Sequence, residues 1–373
     1  MSTMKNRGIL ACAGAGKTYT ICSDALSSSG RSLLITYTNK GRSSIESQLM
    51  KLNNEVPTQK AEVETWFGFL LRDVIRPYQS KYFSSDPDLP NKINFFQNID
   101  FTTTYVRNNY KKETFRYFWS KGGMLKHNET VVFAELLFKL IGNRIINRLK
   151  QQYSTIYLDE VQDLTGTDMN IIMHLIDSQI NVVMVGDPKQ FTYRTHEEHR
   201  KNEKISGRNI DVFFKLLEKE NKLEIGYTQT TRRFGKKLAA FANSIDPEGE
   251  LLKGSDKVSR NEHEGIFILP WKNLQAYEEK YRPTYLTYDS KQANKLPSYC
   301  TRKINFGDSK GITRNDIVIL PNSPLEKFVF GKPLKSPTKY YIACTRARYS
   351  IALITNTPDK YKKFHADWNV WEP

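Results

Sequence analysis

Residues 11–18 read ACAGAGKT, and this stretch decides the fold of the region around it. It is close to the phosphate-binding pattern Gly-x-x-x-x-Gly-Lys-Ser/Thr, with Ala11 in the slot of the first glycine. The apolar run RGIL precedes it and the helix-like segment YTICSDALSS follows it. Because the pattern requires a strand before the loop and a helix after it, this context predicts a nucleotide-binding α/β domain.

The residue types in this loop suit a triphosphate. Gly14 and Gly16 let the backbone curl so that several N–H groups point at phosphate oxygens, and the following helix adds its positive N-terminal end. Lys17 would reach the outer phosphates and the Thr18 hydroxyl would hold Mg²⁺. A chance Gly/Ala turn beside an exposed lysine is the alternative. The residues predicted to bind nucleotide are Ala13, Gly14, Ala15, Gly16, Lys17, Thr18 and Tyr19.

Two later strand ends supply the polar groups that such a loop needs. In LDEVQD, Asp159 would hold the metal and Glu160 would orient and deprotonate the attacking water. An ordinary acidic strand end is the alternative, and the upstream loop favours the catalytic interpretation. The run VVMVGDPKQ ends in Gln190, whose neutral, bidentate amide suits sensing of the γ-phosphate.

The apolar runs fall into two groups, which predicts two α/β units. Continuous apolar runs separated by helix-like stretches are typical of buried parallel sheets. The runs are RGILACAG, RSLLITYT, STIYLDE and INVVMVGD in the first group, and GIFILP, PTYLTY, DIVILP and SIALIT in the second. The stretch between the second and third strands has apolar residues at helical spacing. A further apolar run that resembles a strand, YIACT, is followed at once by Arg346 and then by Arg348.

Composition narrows the class of protein. The chain has 373 residues and a formal net charge of +16, which is compatible with nucleic-acid binding, with an anionic membrane surface or with solubility alone. No apolar run approaches the roughly 18 residues that a membrane span requires. The four cysteines lie far apart and suggest thiols in a reducing compartment rather than a metal site. We therefore expect a soluble cytoplasmic protein with no membrane partner.

Taken in order, these segments resemble the motifs of the UvrD/Rep-type superfamily 1 DNA helicases, in a compact form similar to the F-box-helicase or phage-defence branches. Any one match is weak, but eight in the family's order are specific. The segments that carry the resemblance are ACAGAGKT, LITYTNKG, ETWFGFLLR, LDEVQD, VGDPKQFTYR, TQTTRRFG, GDSKGITRNDIVILP and YYIACTRAR.

The resemblance implies an α/β fold with two RecA-like P-loop domains, parallel sheets, a helical insertion in the first domain and no large insertion in the second. ATP would bind with Mg²⁺ in the cleft between the domains. The implied boundaries are 1–62 and 153–205 for the first domain, 63–152 for the insertion and 206–373 for the second domain. The implied catalytic residues are Glu160, Gln190, Arg233 and Arg346, and the two arginines would stabilise charge on the γ-phosphate.

The same resemblance implies single-stranded DNA, or a tailed duplex, as the partner. Hydroxyl and amide groups fit phosphate contacts, and an aromatic ring can stack on a base. The matching positions are Tyr37, Thr38, Asn39, Lys40, Thr65 and Tyr193. Core packing remains an alternative for Tyr37 and Tyr193, and Trp66 fits a core residue. Fifteen aromatics lie between Ala61 and Ser120 among lysines and arginines, which fits either a small helical core or a nucleic-acid surface.

Some positions depart from the family pattern. No upstream glutamine that would read adenine is evident. Arg232 occupies the slot of the aromatic residue that stacks on adenine, so Arg232, or Tyr227 in a shifted alignment, would stack instead. The first functional hypothesis is an ATP-hydrolysing translocase or helicase on single-stranded DNA. The second is a DNA-sensing regulatory ATPase subunit that controls a partner nuclease, for example in antiviral defence. A P-loop kinase is a poor third, because nothing resembles an acceptor-binding lid.

Overall fold

The computed structural model describes residues 6–81, 98–103, 109–111, 114–191, 202–260 and 262–373. Strands and helices alternate along most of this chain. The strands are β1 Asn6–Ala11, β2 Ser32–Thr36, β3 Ala61–Thr65, β4 Ile99–Asp100, β5 Leu125–Lys126, β6 Thr155–Leu158, β7 Asn181–Gly186, β8 Leu223–Thr228, β9 Gly265–Pro270, β10 Thr284–Thr287, β11 Lys303–Asn305, β12 Arg314–Ile319, β13 Ala347–Thr355 and β14 Asn369–Val370.

The α-helices range from single turns to seven turns. They are α1 Lys17–Ser27, α2 Asn39–Leu52, α3 Trp66–Phe69, α4 Phe115–Phe118, α5 His127–Gln152, α6 Asp168–Ile176, α7 Ile210–Lys219, α8 Lys236–Ile245, α9 Leu274–Tyr281, α10 Ser290–Ala293, α11 Ser323–Val329, α12 Thr338–Cys344 and α13 Pro358–Phe364. A π-helical turn, Leu70–Ile75, continues α3.

The chain divides into two compact units. The first contains Met1–Leu10, Lys17–Pro188 and Tyr193–Gly226, and the second contains Ala11–Gly16, Lys189–Thr192 and Tyr227–Pro373. The glycine loop and Gln190 therefore group with the second unit. Residues 206–226, which the sequence prediction gave to the second domain, fold here as α7 and most of β8 with the first unit. The division into RecA-like domains at residues 62, 152 and 205 stays a prediction.

A six-stranded sheet forms the centre of the first unit, in the order β3-β2-β6-β7-β1-β8. The pairs among β1, β2, β3, β6 and β7 are parallel. Alternate residues of β2 face opposite sides, since Leu33 and Ile35 join one apolar cluster and Leu34 joins another. Helices cover both faces, so the strands are apolar throughout, as a buried parallel sheet requires.

The second unit repeats this design. Its sheet has the order β11-β10-β12-β13-β9-β14, and every pairing is parallel. Ile268 and Ile351 face one apolar cluster, whereas Leu269 and Ala352 face the other. The predicted α/β class with two parallel sheets is confirmed, and all eight predicted strands are present. This arrangement is consistent with two RecA-like domains.

Most of the described residues between β3 and β6 are helical, as the spacing of the apolar residues in this segment predicts. Its main element is the 26-residue helix α5, which bends where Ile141 leaves helical geometry. Phe118 and Trp119 pack against Phe133 of α5, with ring centroids 5.0 Å apart in both pairs. The buried Trp66 indole donates to Asp168 at 2.7 Å. The prediction that Trp66 belongs to the core is therefore confirmed.

One predicted strand is a helix. YIACT lies mostly in α12, and the following strand β13 begins only at Ala347. A short apolar run cannot be assigned to strand or helix by periodicity alone, which explains the error. The edge strands β3, β8, β11 and β14 were not predicted, because polar residues at their partly exposed positions interrupt the run of apolar residues.

No helix in the part of the chain that the structure describes combines the length and apolar character of a membrane span. None of the four cysteines forms a disulfide, and three of them are buried. Burial raises the pKa of the Cys22 thiol to about 12, so this thiol stays protonated at neutral pH.

Candidate functional site

The glycine loop leaves β1 and has a backbone that only glycine adopts easily. Gly14 has φ +74° and Gly16 has φ +90°, both in the left-handed region. A Cβ atom on Gly14 would lie 2.5 Å from Thr231 Oγ1 and 2.6 Å from Arg233 Cβ. Both torsion and space therefore require glycine at position 14.

The helix that follows the loop starts at Lys17, the first residue of α1. The first N–H groups of a helix lack partners within it and carry partial positive charge, which suits phosphate. The first turn contains no acidic residue that would compete for these groups. Lys17 and Thr18 are half-buried there, whereas Tyr19 is exposed.

The predicted carboxylates follow directly after β6. Asp159 is buried, its N–H donates to the Ile35 carbonyl at 2.8 Å, and its carboxylate accepts from the Glu160 N–H at 3.0 Å. Glu160 has φ 54° and ψ 41°, a left-handed conformation that is uncommon for a residue with a side chain. Such strain is typical of functional positions.

Gln162 was not predicted and holds this carboxylate pair to the neighbouring strand. Its side-chain amide donates to the Glu160 carboxylate, and its carbonyl accepts from the Asp187 N–H at 3.0 Å. The residue is fully buried. Since Asp187 follows β7, Gln162 joins the ends of β6 and β7. Its position two residues after Glu160 in LDEVQD was the available signal.

Gln190 and Arg346 meet in the second unit. The Arg346 side chain is 1% exposed, and Nη2 donates to Gln190 Oε1 at 3.1 Å. The same guanidinium donates to the Ile342 carbonyl at 2.8 Å and to Thr345 Oγ1 at 2.9 Å. These bonds fix its plane, as planar recognition of an anion requires.

Arg233 reaches the same place from the segment after β8. Its Nη1 donates to the Thr345 carbonyl at 2.7 Å. Thr345 therefore binds Arg233 through its carbonyl and Arg346 through its hydroxyl, although sequence reasoning had passed over it. Next to Arg233, the Arg232 N–H donates to the Gly14 carbonyl at 2.8 Å. In the second unit, the structure thus brings the glycine loop, Arg233, Arg346 and Gln190 together.

The donors available for Mg²⁺ fit the usual pattern of nucleotide sites. Mg²⁺ in such sites is bound by one or two carboxylates or hydroxyls together with the substrate's own phosphates. Asp159 and the Thr18 hydroxyl are ligands of this type, on separate elements of the first unit. Their assignment as metal ligands stays a prediction.

The predicted DNA contacts lie at the carboxyl ends of β2 and β3, which are neighbours. Thr38, Asn39 and Lys40 are exposed and Tyr37 is half-buried. Thr38 caps α2 by accepting from the Gly41 N–H at 3.0 Å, and Thr65 caps α3 by accepting from the Gly68 N–H at 3.1 Å. Tyr193 lies outside the described residues.

A second copy of this strand-end pattern lies in the second unit and was not predicted. From the last residue of β2 the sequence is Thr-Tyr-Thr-Asn-Lys (36–40), and from the last residue of β10 it is Thr-Tyr-Asp-Ser-Lys (287–291). Asp289 caps α10 by accepting from the Gln292 N–H at 2.8 Å, just as Thr38 caps α2. Tyr288 is 37% exposed. Comparing the two runs would have revealed it.

Comparison with known proteins gives one family-model match. Residues 92–202 match the UvrD/REP helicase N-terminal domain. The matched segment includes LDEVQD and Gln190. The chain is also 23% identical over 328 residues to the RecBCD enzyme subunit RecB of Borreliella burgdorferi, an alignment that covers 78% of this chain and 27% of the relative. The chain therefore spans about a quarter of the length of that relative.

Among solved structures, the chain is similar to viral helicases. A complex of the Arterivirus nonstructural protein 10 (helicase) with DNA has a TM-score of 0.48 and 12% identity, covering 96% of this chain and 63% of the other. The PRRSV helicase has a TM-score of 0.46 and 12% identity, covering 95% and 53%.

Proposed function

Because residues 92–202 match the UvrD/REP helicase N-terminal domain, we propose that the chain is a UvrD-like superfamily 1 helicase that hydrolyses ATP with Mg²⁺ and uses the energy to move along single-stranded DNA. The observation that carries the proposal is the cluster of Gly14, Gln190, Arg233 and Arg346 in the second unit. Two guanidinium groups beside a glycine loop provide the positive charge that phosphoryl transfer requires.

Each residue has a proposed part in the reaction. The loop N–H groups and Lys17 bind phosphate oxygens, and Thr18 and Asp159 would hold Mg²⁺, which would neutralise charge on the phosphates. Glu160 orients a water molecule and accepts its proton as the water attacks the γ-phosphorus. The bond from that phosphorus to the β–γ bridging oxygen breaks, so ADP and phosphate leave. Gln190, Arg233 and Arg346 stabilise the transferred group.

Hydrolysis measured with and without a single-stranded oligonucleotide tests the proposal. We expect ATP hydrolysis that the oligonucleotide stimulates, and hydrolysis indifferent to DNA would contradict the motor function. Glu160→Gln should still bind ATP while kcat falls about 10²- to 10⁴-fold, because general base catalysis is lost. Glu279→Gln, an exposed carboxylate on α9, is the matched control and should leave kcat unchanged.

Movement on DNA has its own measurement. Strand displacement on a tailed duplex by the purified chain should require ATP, and from the resemblance we expect 3′-to-5′ polarity. The name of the Borreliella relative describes one subunit of a larger enzyme. We therefore keep the second hypothesis, a DNA-sensing ATPase subunit that controls a nuclease. Robust unwinding by the chain alone would argue against it, whereas DNA-stimulated hydrolysis without unwinding would favour it.

A further inference from the structure

A line of aromatic rings in the first unit connects a predicted DNA contact to the helical segment. Tyr37 lies 6.2 Å from Phe67, Phe67 lies 4.9 Å from His127, and His127 lies 5.0 Å from Phe101, measured between ring centroids. The line begins at the end of β2 and ends at the surface, because Phe101 is 60% exposed. The two middle rings of the line, Phe67 and His127, are buried.

A second exposed ring lies beside the same strand and helix start. Tyr110 is 43% exposed, and Lys126 Nζ lies 4.4 Å from its ring centroid. The same ammonium group donates to the Arg116 carbonyl at 2.6 Å. Since Lys126 directly precedes His127, it links Tyr110 to the line of rings that ends in Phe101.

The segment that carries these rings has more cations than acids. In the described residues from 98 to 129 the acidic side chains are Asp100 and the buried Glu129, and the cations are Lys111, Arg116, Lys121 and Lys126. The Asp100 carboxylate already accepts from the hydroxyl and the N–H of Thr102. Exposed aromatic rings among lysines and arginines are what a groove for single-stranded nucleic acid presents.

Core packing does not explain the two exposed rings. Phe115, Phe118 and Trp119 come from the same stretch of sequence and are all buried, as a small helical core requires. Phe101 and Tyr110 remain at the surface although burial of such rings is favourable. The core and surface interpretations of the aromatic-rich stretch therefore apply to different residues within it.

We propose that Phe101 and Tyr110, held in place by His127 and Lys126, form a base-stacking platform that extends the DNA contact from Tyr37. This inference rests on the proposed function, because it assumes that Tyr37 faces single-stranded DNA. The rings stack on bases without reading sequence, and the cations attract the phosphates. The occupant is therefore single-stranded DNA of any sequence.

Binding of two labelled oligonucleotides by fluorescence anisotropy tests the platform. One is oligothymidylate, and the other has the same length and charge but lacks its bases. The wild-type chain should bind oligothymidylate more tightly, because only its bases can stack. Phe101→Ala should weaken oligothymidylate binding about 5- to 150-fold, the range for loss of one stacked base. It should leave abasic binding nearly unchanged, and Phe101→Trp should restore the preference.

Phe364→Ala is the matched control. Phe364 is also an exposed phenylalanine, 52% exposed, with a second ring, Phe330, 5.3 Å away. Its removal should not alter binding, and urea unfolding of all variants checks folding. A wild-type chain that binds no single strand would overturn both the platform and the proposed function. Wild-type binding that Phe101→Ala leaves intact would overturn the platform alone.

Discussion

Two polar clusters in the second unit contain similar residues but give their arginines different hydrogen-bond partners. The first is the Thr345 cluster, formed by Gln190, Arg233, Thr345 and Arg346. The second is the Asp316 cluster, formed by Arg260, His263, Tyr277, Asp316 and Ser350. Both contain buried, hydrogen-bonded polar groups, but the arginine of the Asp316 cluster bonds a carboxylate, whereas the arginines of the Thr345 cluster bond Thr345 and Gln190.

In the Asp316 cluster, the charges cancel within the protein. Asp316 accepts two bonds from Arg260 Nη1, at 2.9 and 3.1 Å, and one from Ser350 at 2.7 Å. His263 lies between the rings of Phe267 and Tyr281 and shares a hydrogen bond of 2.7 Å with Tyr277. Burial lowers the pKa of His263 to about 4, so its ring is neutral at pH 7.

In the Thr345 cluster, two positive guanidinium groups converge on one neutral residue beside the glycine loop. The two groups produce a positive electrostatic potential beside the glycine loop, which would stabilise an anion bound there. We therefore expect the Asp316 cluster to act on stability and, as the proposed function requires, the Thr345 cluster to act on ATP hydrolysis. Variants should therefore lose chemistry in the Thr345 cluster and stability in the Asp316 cluster.

The largest effect is expected from Arg346→Ala. Loss of an arginine that stabilises the transferred phosphoryl group costs about 10³- to 10⁵-fold in kcat. Steady-state ATP hydrolysis with single-stranded DNA measures it, normalised to folded protein. Arg348→Ala is the control, since Arg348 is an exposed arginine two residues away. If Arg346→Ala kept kcat within tenfold, the two clusters would not differ in the way we describe.

Asp316→Ala should act on stability instead. Breaking a buried ion pair by removing one partner costs about 3–5 kcal/mol, and we expect the lower end because Arg260 is 41% exposed. Urea unfolding measures the loss of unfolding free energy. The kcat of the folded fraction should match the wild type. A fall in kcat without a fall in stability would assign this cluster to the reaction.

The pH dependence of stability should depend on His263. Its folded pKa of about 4 lies below the ordinary value of 6.5, so the unfolded chain binds the proton more readily. The stabilisation from the neutral ring is complete above pH 6.5 and is lost as the pH falls towards 4, by up to about 3 kcal/mol. His263→Phe should show a smaller fall in its urea midpoint over this range. An unchanged slope would contradict the assignment.

The smallest effect is expected from Thr345→Ala. It removes the hydroxyl that accepts from Arg346 while its backbone carbonyl still accepts from Arg233. A hydrogen bond to a charged group contributes about 1.5–3 kcal/mol, so kcat should fall about 10- to 100-fold. Thr345→Ser keeps the hydroxyl and should restore most of the rate. Equal activity of Thr345→Ala and the wild type would show that Thr345 does not orient Arg346.

The sequence predicted most of the fold because the central strands are long apolar runs with clear boundaries. β2, β7 and β12 were predicted in this way. Edge strands have one exposed side and a weaker pattern, so they were missed. The segment before Arg346 was assigned to the wrong class because its five apolar residues, 340–344, fit either a strand or a helix turn.

The sequence predicted site residues only where they lie within one short motif. Positions such as Gly14 and Glu160 lie within short motifs, whereas Thr345 depends on a contact with a residue more than a hundred positions earlier. The two clusters above could not be distinguished from sequence, because the hydrogen-bond partners of their arginines are neighbours in space rather than along the chain. Arg260 and Asp316, for example, are 56 positions apart and form an ion pair.

The left-handed backbone of Glu160 has a consequence for directed evolution of this chain. Glycine adopts that conformation without strain, so Glu160→Gly would relax the backbone while deleting the proposed base. A library screened only for heat resistance would therefore be drawn towards an inert protein at this position. Such a library would also have to be selected for turnover, because at this one residue the substitution that relaxes the backbone removes the activity.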